Sequence, residues 1–264
     1  MAYILPYVLA FAFGAVAGSF VNVCVCRIPR GKSVVLPRSS CPGCGNVLKA
    51  RELIPLASYF MLRGRCSACG IKISFRYPAV EFICGALCSA LCWKFGLSIQ
   101  FTCYTLLCFI LVAVFFIDLE WMRIPNALVI CALAPALASY ANYIFIMTGP
   151  ERFRSVYNSV SAIEPLFGLI PCLIFLFIYI ITAIAGKGKS AIGMGDIKLL
   201  FPAGIALGLR QNMLAVFIAV MLGGLAGIIL IITRKKTRKD PIPFGPFIVI
   251  GIIAAIFTAG TVPM

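Results

Sequence analysis

The sequence predicts an all-α polytopic membrane protein of about eight transmembrane helices, with a small cytoplasmic four-cysteine insert after the first helix. Three observations carry that prediction. Hydrophobic residues make up 62% of the 264, against roughly 45–50% in a soluble domain, and the mean hydropathy is +1.06. The apolar residues fall in runs of membrane length, with the charges gathered into a few loops. One of those loops, residues 27–76, is long, basic and contains two Cys-x-x-Cys knuckles.

The first apolar run, Ala2 to Cys26, is too long for a signal-peptide core and lacks a basic leader or a small-residue cleavage site, so it is expected to be a retained span. Gly18-Ser19-Phe20-Val21-Asn22-Val23 lies near its end. Small residues there let a neighbouring helix approach, and Asn22 can hydrogen-bond across it.

From Arg27 to Arg76 the chain is polar, with ten basic side chains. Cys41-Pro42-Gly43-Cys44 and Cys66-Ser67-Ala68-Cys69 are separated by twenty-one residues. Paired knuckles at this spacing point to a tetrahedral four-thiolate zinc site, each giving two sulfurs to one metal. So short an insert has little core of its own, and zinc would supply much of its folding free energy. A redox dithiol is the rival reading; paired disulfides suit a cytosolic insert less well. The other nine cysteines lie in or beside apolar runs and are expected to be packing residues.

Seven further spans are expected at about Pro78 to Phe95, Leu97 to Ile117, Pro125 to Met147, Pro165 to Gly186, Ile197 to Leu209, Asn212 to Thr233 and Phe244 to Thr261. The run Ile197 to Leu209 is short for a bilayer of about 30 Å, so it should borrow flanking residues or be partly re-entrant. The chain thus divides into a first helix (1–26), the insert (27–76) and a seven-helix core (77–264).

Placing the insert in the cytoplasm puts nineteen of the twenty-three basic residues on that side, leaving Lys94, Arg152, Arg154 and Arg210 opposite. The positive-inside rule favours that orientation. The formal charge of +15 is then explained by topology and anionic lipid headgroups, and no nucleic-acid partner is expected.

Only eight residues are acidic. Asp118 closes the run Leu106 to Ile117, and Asp196 follows a flexible glycine pair in Gly193-Met194-Gly195-Asp196. An ionisable residue beside a span is costly and therefore a functional candidate. The topology brings both aspartates to cytoplasmic helix ends at one depth. There they can share one proton and activate a water, as in an aspartic protease; each can equally be a helix cap. The glycines either let the backbone approach an extended substrate or only make the turn. Lys198 can pair with Asp196 or bind lipid phosphate, and Glu81 and Glu120 are reserve acids. The chain has no histidine, which excludes serine–histidine hydrolysis, histidine-ligated zinc hydrolysis and imidazole shuttling.

Several motifs together carry a family resemblance: Gly18 to Val23, Arg27-Ile28-Pro29-Arg30-Gly31-Lys32-Ser33, the two knuckles, Leu53-Ile54-Pro55, Arg63-Gly64-Arg65-Cys66, and Arg76-Tyr77-Pro78-Ala79-Val80-Glu81. Ile117-Asp118-Leu119-Glu120, Ile124-Pro125-Asn126, Gly193 to Leu199, and Pro243-Phe244-Gly245-Pro246-Phe247 continue it in order. The chain resembles the type IV prepilin peptidases over nearly its whole length. The resemblance implies an inner-membrane aspartic endopeptidase that cleaves the basic leader of prepilin- or pseudopilin-like substrates, each with a hydrophobic helix. It further implies methylation of the new amino terminus with S-adenosylmethionine in members with a cysteine-rich insert. Carried over, Asp118 and Asp196 match the catalytic pair, and Cys41, Cys44, Cys66 and Cys69 match the zinc ligands. Asn126 departs from the pattern, since many relatives place an aspartate there. No glycine-rich Rossmann fingerprint marks a seat for S-adenosylmethionine. Two other classes are open: a proton-coupled transporter using the carboxylate pair, although no internal repeat is evident, and a non-catalytic zinc-binding component of a pilus or secretion assembly.

Overall fold

The computed structural model describes residues 4–147, 166–185, 193–234 and 240–259. The described residues are helical, with no β-strand and only two isolated bridges, Ser40 with Val47 and Arg65 with Lys72. The helices are α1 (Leu5–Arg27), α2 (Ala57–Met61), α3 (Arg76–Phe95), α4 (Ile99–Trp121), α5 (Asn126–Met147), α6 (Ile170–Ala185), α7 (Met194–Ile232) and α8 (Gly245–Thr258). Five are long and apolar enough to cross a membrane, namely α1, α3, α4, α5 and α7, and α6 and α8 are shorter apolar helices. Lys187, Lys189, Arg152, Arg154 and the basic residues Lys235, Lys236, Arg238 and Lys239 lie outside the described residues.

The chain forms two compact units. One comprises residues 1–97 with 108–113, the other residues 98–107 with 114–264.

In the first unit, α1 packs along α3 with the two backbones in contact. A Cβ at Gly14 would lie 2.5 Å from the carbonyl oxygen of Cys84, and one at Gly18 would lie 2.8 Å from Cα of Glu81. Small residues create this approach, since a bilayer offers two apolar helices no hydrophobic gain for pairing. Asn22, buried in the seam, donates from Nδ2 to the carbonyl of Tyr77 at 3.0 Å, the cross-helix bond its position suggested. Cys84, Cys88 and Cys92 are buried along α3, in keeping with packing roles.

The insert is tied to α3 through Glu81. This carboxylate accepts from the backbone N–H of Leu56 at 2.7 Å, holding a residue whose φ is +61. Glu52 braces the insert internally: it accepts from Lys49 N–H at 2.7 Å, just after the first knuckle, and from the Ser67 hydroxyl within the second. Those two donors hold its carboxyl below the usual range, Ser67 most strongly.

In the second unit, α7 packs against α5, α6 and α8. It runs for 39 residues but breaks at Gly208, where φ is +75. Two helical stretches, in the places of the two spans expected from the sequence, therefore meet at this glycine, and the first begins at Met194, earlier than expected. The backbones of Gly168 and Gly204 touch, and fully buried Asn212 donates from Nδ2 to the carbonyl of Gly168 at 2.7 Å, bracing the break. Gly251 of α8 similarly rests on the carbonyl of Ala215, seating α8 against α7.

Two glycine substitutions should act in opposite directions. Gly14→Ala forces a methyl into the α1–α3 contact and should cost about 1–3 kcal/mol. At Gly224, where an added Cβ would meet no atom within 4 Å, alanine should be neutral or stabilise by up to about 1 kcal/mol. Thermal unfolding of the detergent-purified variants checks this; equal effects would refute close backbone packing of α1 on α3.

Candidate active site

Asp118 sits in the last turn of α4. Met122 closes that helix in the left-handed region (φ 49), its N–H returning to the carbonyl of Asp118 at 2.9 Å. Asp196 sits in the first turn of α7, where the capping residue Gly193 is extended and accepts from Asp196 N–H at 3.1 Å. A carboxylate in the first turn faces the positive end of the helix dipole. Both aspartates are buried, 5% and 8% exposed, and Asp118 is near enough for its charge to act on Asp196.

Burying a carboxylate is costly unless donors meet it. For Asp118 the donor is the N–H of Gly245, 3.1 Å from Oδ2. That N–H belongs to the first residue of α8 and has no partner within its own helix. A Cβ at Gly193 would lie 3.0 Å from Asp196 Oδ2, so this carboxylate folds back over the glycine. Ile124 lies between the remaining two glycines: a Cβ at Gly195 would be 3.1 Å from its Cβ, and one at Gly245 would be 3.3 Å from its Cδ1. Three helix ends and the Ile124 loop thus surround two carboxylates with backbone and one aliphatic side chain.

Lys198 does not pair with Asp196. Its ammonium donates to Asn126 Oδ1 at 3.0 Å, joining α7 to α5. The residue that departs from the family pattern is thereby the acceptor of a lysine, a role an aspartate would fill as an ion pair. Glu120 is exposed, and Glu81 is occupied with the insert.

In the first unit, the sulfurs of Cys41, Cys44, Cys66 and Cys69 all lie within 4.8 Å of one another. The two knuckles repeat one geometry. Cys41 N–H bonds to Asn46 and Gly45 N–H returns to Cys41, both at 2.9 Å; Cys66 N–H bonds to Ile71 at 2.9 Å and Gly70 N–H returns to Cys66 at 3.0 Å. Gly45 and Gly70 have φ of +72 and +71, the left-handed region each turn requires. The backbone N–H groups of Cys44 and Gly43 lower the Cys41 thiol to about 6. Cys69 receives a similar pull from Ile71 N–H, but desolvation and the neighbouring thiols outweigh it and push Cys69 up to about 12. Four converging sulfurs that resist shared ionisation are a donor set suited to a divalent soft-to-borderline cation. Zinc fits it.

Comparison with known proteins identifies the family. The family model of the bacterial peptidase A24 N-terminal domain matches residues 12–95, and that of the type IV leader peptidase family matches residues 105–228. A Bacillus subtilis (strain 168) protein named prepilin leader peptidase/N-methyltransferase is 36% identical over 248 residues, covering 94% of this chain and 92% of its own. Proteins of the same name from Stutzerimonas stutzeri and Pseudomonas aeruginosa are 31% and 30% identical, covering 93% and 97% of this chain and 89% and 93% of theirs. The chain belongs to the type IV leader peptidase family. The four cysteines fall in the matched N-terminal domain and both aspartates in the matched leader peptidase segment. No solved structure matches the chain.

Sequence reasoning passed over Gly245. It stood in the family motif Pro243 to Phe247 without a role, because a glycine beside prolines reads first as a turn. Its contact with Asp118 spans 127 residues of sequence.

Metal analysis of the purified protein should find about one zinc per chain. Changing Cys41 and Cys44 together to serine should abolish it. A wild-type protein that is folded, active and metal-free would remove the role given to the knuckles.

Proposed function

We propose that this protein is a membrane aspartic endopeptidase that cleaves the leader from prepilin-like substrates, with Asp118 and Asp196 as the catalytic pair, and then N-methylates the new amino terminus. The observation that supports the pair is that two buried carboxylates, at the end of α4 and the start of α7, lie beside glycines, Gly245 and Gly195, that both pack on Ile124. The relatives' names supply the substrate class and the second activity.

In the cleavage step, one carboxylate is ionised and takes a proton from water as the oxygen attacks the scissile carbonyl. The other donates its proton to the carbonyl oxygen. The tetrahedral intermediate then collapses: the C–N bond breaks, the amine leaves with a proton, and the pair returns to its singly protonated form. Burial assists by keeping bulk water from competing for both groups.

Around this centre we read eight membrane crossings, counting α7 as two, with the insert and both aspartates on the cytoplasmic side of the inner membrane. The substrate's hydrophobic helix would lie in the bilayer while the leader junction reaches the surface. Enzyme and leader are both basic, so docking relies on the apolar helix and on the acids Asp118, Glu120 and Asp196. Cys41, Cys44, Cys66 and Cys69 would hold a structural zinc that stabilises the insert. S-adenosylmethionine is the methyl donor that the second activity implies. Among the described residues no strand, glycine loop and helix form a Rossmann seat for it.

A transporter reading is not favoured, since both carboxylates lie at helix ends and not at mid-helix. A purely structural zinc scaffold would have no use for them.

Asp118→Asn and Asp196→Asn should each abolish leader cleavage while the protein remains folded in detergent, because an amide is neither base nor acid here. Glu120→Gln should keep substantial activity. The double serine change at Cys41 and Cys44 should lower methylation of already cleaved pilin at least as much as cleavage of intact prepilin. Mass measurement of both products checks all of this, and full cleavage by Asp196→Asn would refute the pair.

A further inference from the structure

We infer that Gly245 is a positioning residue for the peptidase reaction: the first residue of α8 fixes the Asp118 carboxylate through its N–H, at a point where only glycine leaves room for that carboxylate. The inference rests on the reading of Asp118 as a catalytic group.

Space, not backbone conformation, demands the glycine. Gly245 is not among the positive-φ residues, so any amino acid could adopt its backbone geometry. A Cβ there would lie 2.6 Å from Asp118 Oδ2 and 3.1 Å from its Cγ. No real Cβ sits so close to a carboxylate oxygen, so a side chain at 245 must displace Asp118, α8 or both. Withdrawal of α8 is opposed by its packing. Ile248, Ile252 and Ile256 are buried, and Gly251 rests on the carbonyl of Ala215 in α7. The carboxylate is therefore the part that moves.

The three glycines of the site act differently. Gly195 makes room for Ile124, Gly193 for Asp196, and Gly245 for Asp118. Gly245 also supplies a hydrogen-bond donor, its N–H standing 3.1 Å from Asp118 Oδ2. One buried helix terminus thus gains an acceptor and one buried carboxylate gains a donor. Gly251 seats α8 on the part of α7 beyond the break at Gly208, so that part of α7 holds the donor that aims Asp118.

Gly245→Ala should lower kcat for leader cleavage by about 10²-fold, the cost of misplacing a reacting group by about an ångström, with KM nearly unchanged. Methylation of already cleaved pilin and the behaviour of Gly224→Ala should match wild type. Ile124→Ala should restore much of the cleavage lost in Gly195→Ala, whose methyl presses first on Ile124, but little of that lost in Gly245→Ala. Wild-type cleavage by Gly245→Ala, or its rescue by Ile124→Ala, overturns the inference. If Gly245→Ala unfolds, stability decides the question. Asp118→Ala/Gly245→Ala should then melt at the same temperature as Asp118→Ala, since removing the carboxylate frees the space; a lower melting temperature for the double variant overturns the inference. Asp118→Asn separates the two levels. If it cleaves normally, the catalytic reading of Asp118 has failed; if it is inactive while Gly245→Ala is normal, only the inference about Gly245 has failed.

Discussion

Two carboxylates held out of water at the ends of apolar helices impose the strongest demand on this molecule. Asp118 and Asp196 are only 5% and 8% exposed, so each depends on backbone close by. Asp118 depends on the start of α8, and Asp196 on the glycine that caps α7. Those contacts bring three helix termini together: a Cβ at Gly245 would fall 2.6 Å from Asp118 Oδ2, while one at Gly193 or Gly195 would press on Asp196 Oδ2 or on Ile124 at 3.0 and 3.1 Å. The fit of the second unit, including the Gly168–Gly204 contact and the seating of Gly251 on Ala215, keeps the termini in register.

The insert meets a different constraint. Its residues are too few and too polar to form a core, and its order comes from paired turns, from the Glu52 and Glu81 braces, and from four sulfurs gathered within 4.8 Å. The repeat of one hydrogen-bonding pattern around Cys41 and around Cys66 shows the local logic. Each turn presents its sulfurs by the same backbone route, with a left-handed glycine after the second cysteine. A cation would relieve the crowding of thiols that holds Cys69 up at about 12.

Much of this was legible in the sequence because membrane length, loop charge and cysteine spacing are local signals. The helices α1, α3, α4 and α5 lie close to the expected runs, and Asn22 makes the cross-helix bond its setting suggested. The two halves of α7 meet at Gly208, next to the boundary expected after Leu209, while the start of the first at Met194 was less legible because the Gly193–Gly195 segment reads as a turn. Lys198 and Gly245 were misjudged or missed for a shared reason. Their partners, Asn126 and Asp118, are 72 and 127 residues away, and neither contact leaves any periodic mark. The aspartates could be singled out because charge is rare in this chain; glycine, with 23 copies, offers no such contrast.

The central claim is that Asp118 and Asp196 work as one catalytic unit. The most direct measurement is the rate of prepilin leader cleavage by Asp118→Asn, Asp196→Asn and the double variant, all verified as folded in the same detergent. Residues acting as a unit lose nearly everything with the first substitution, so the three variants should be equally inactive. A double variant far slower than either single one, or a single variant that cleaves at the wild-type rate, would contradict the claim.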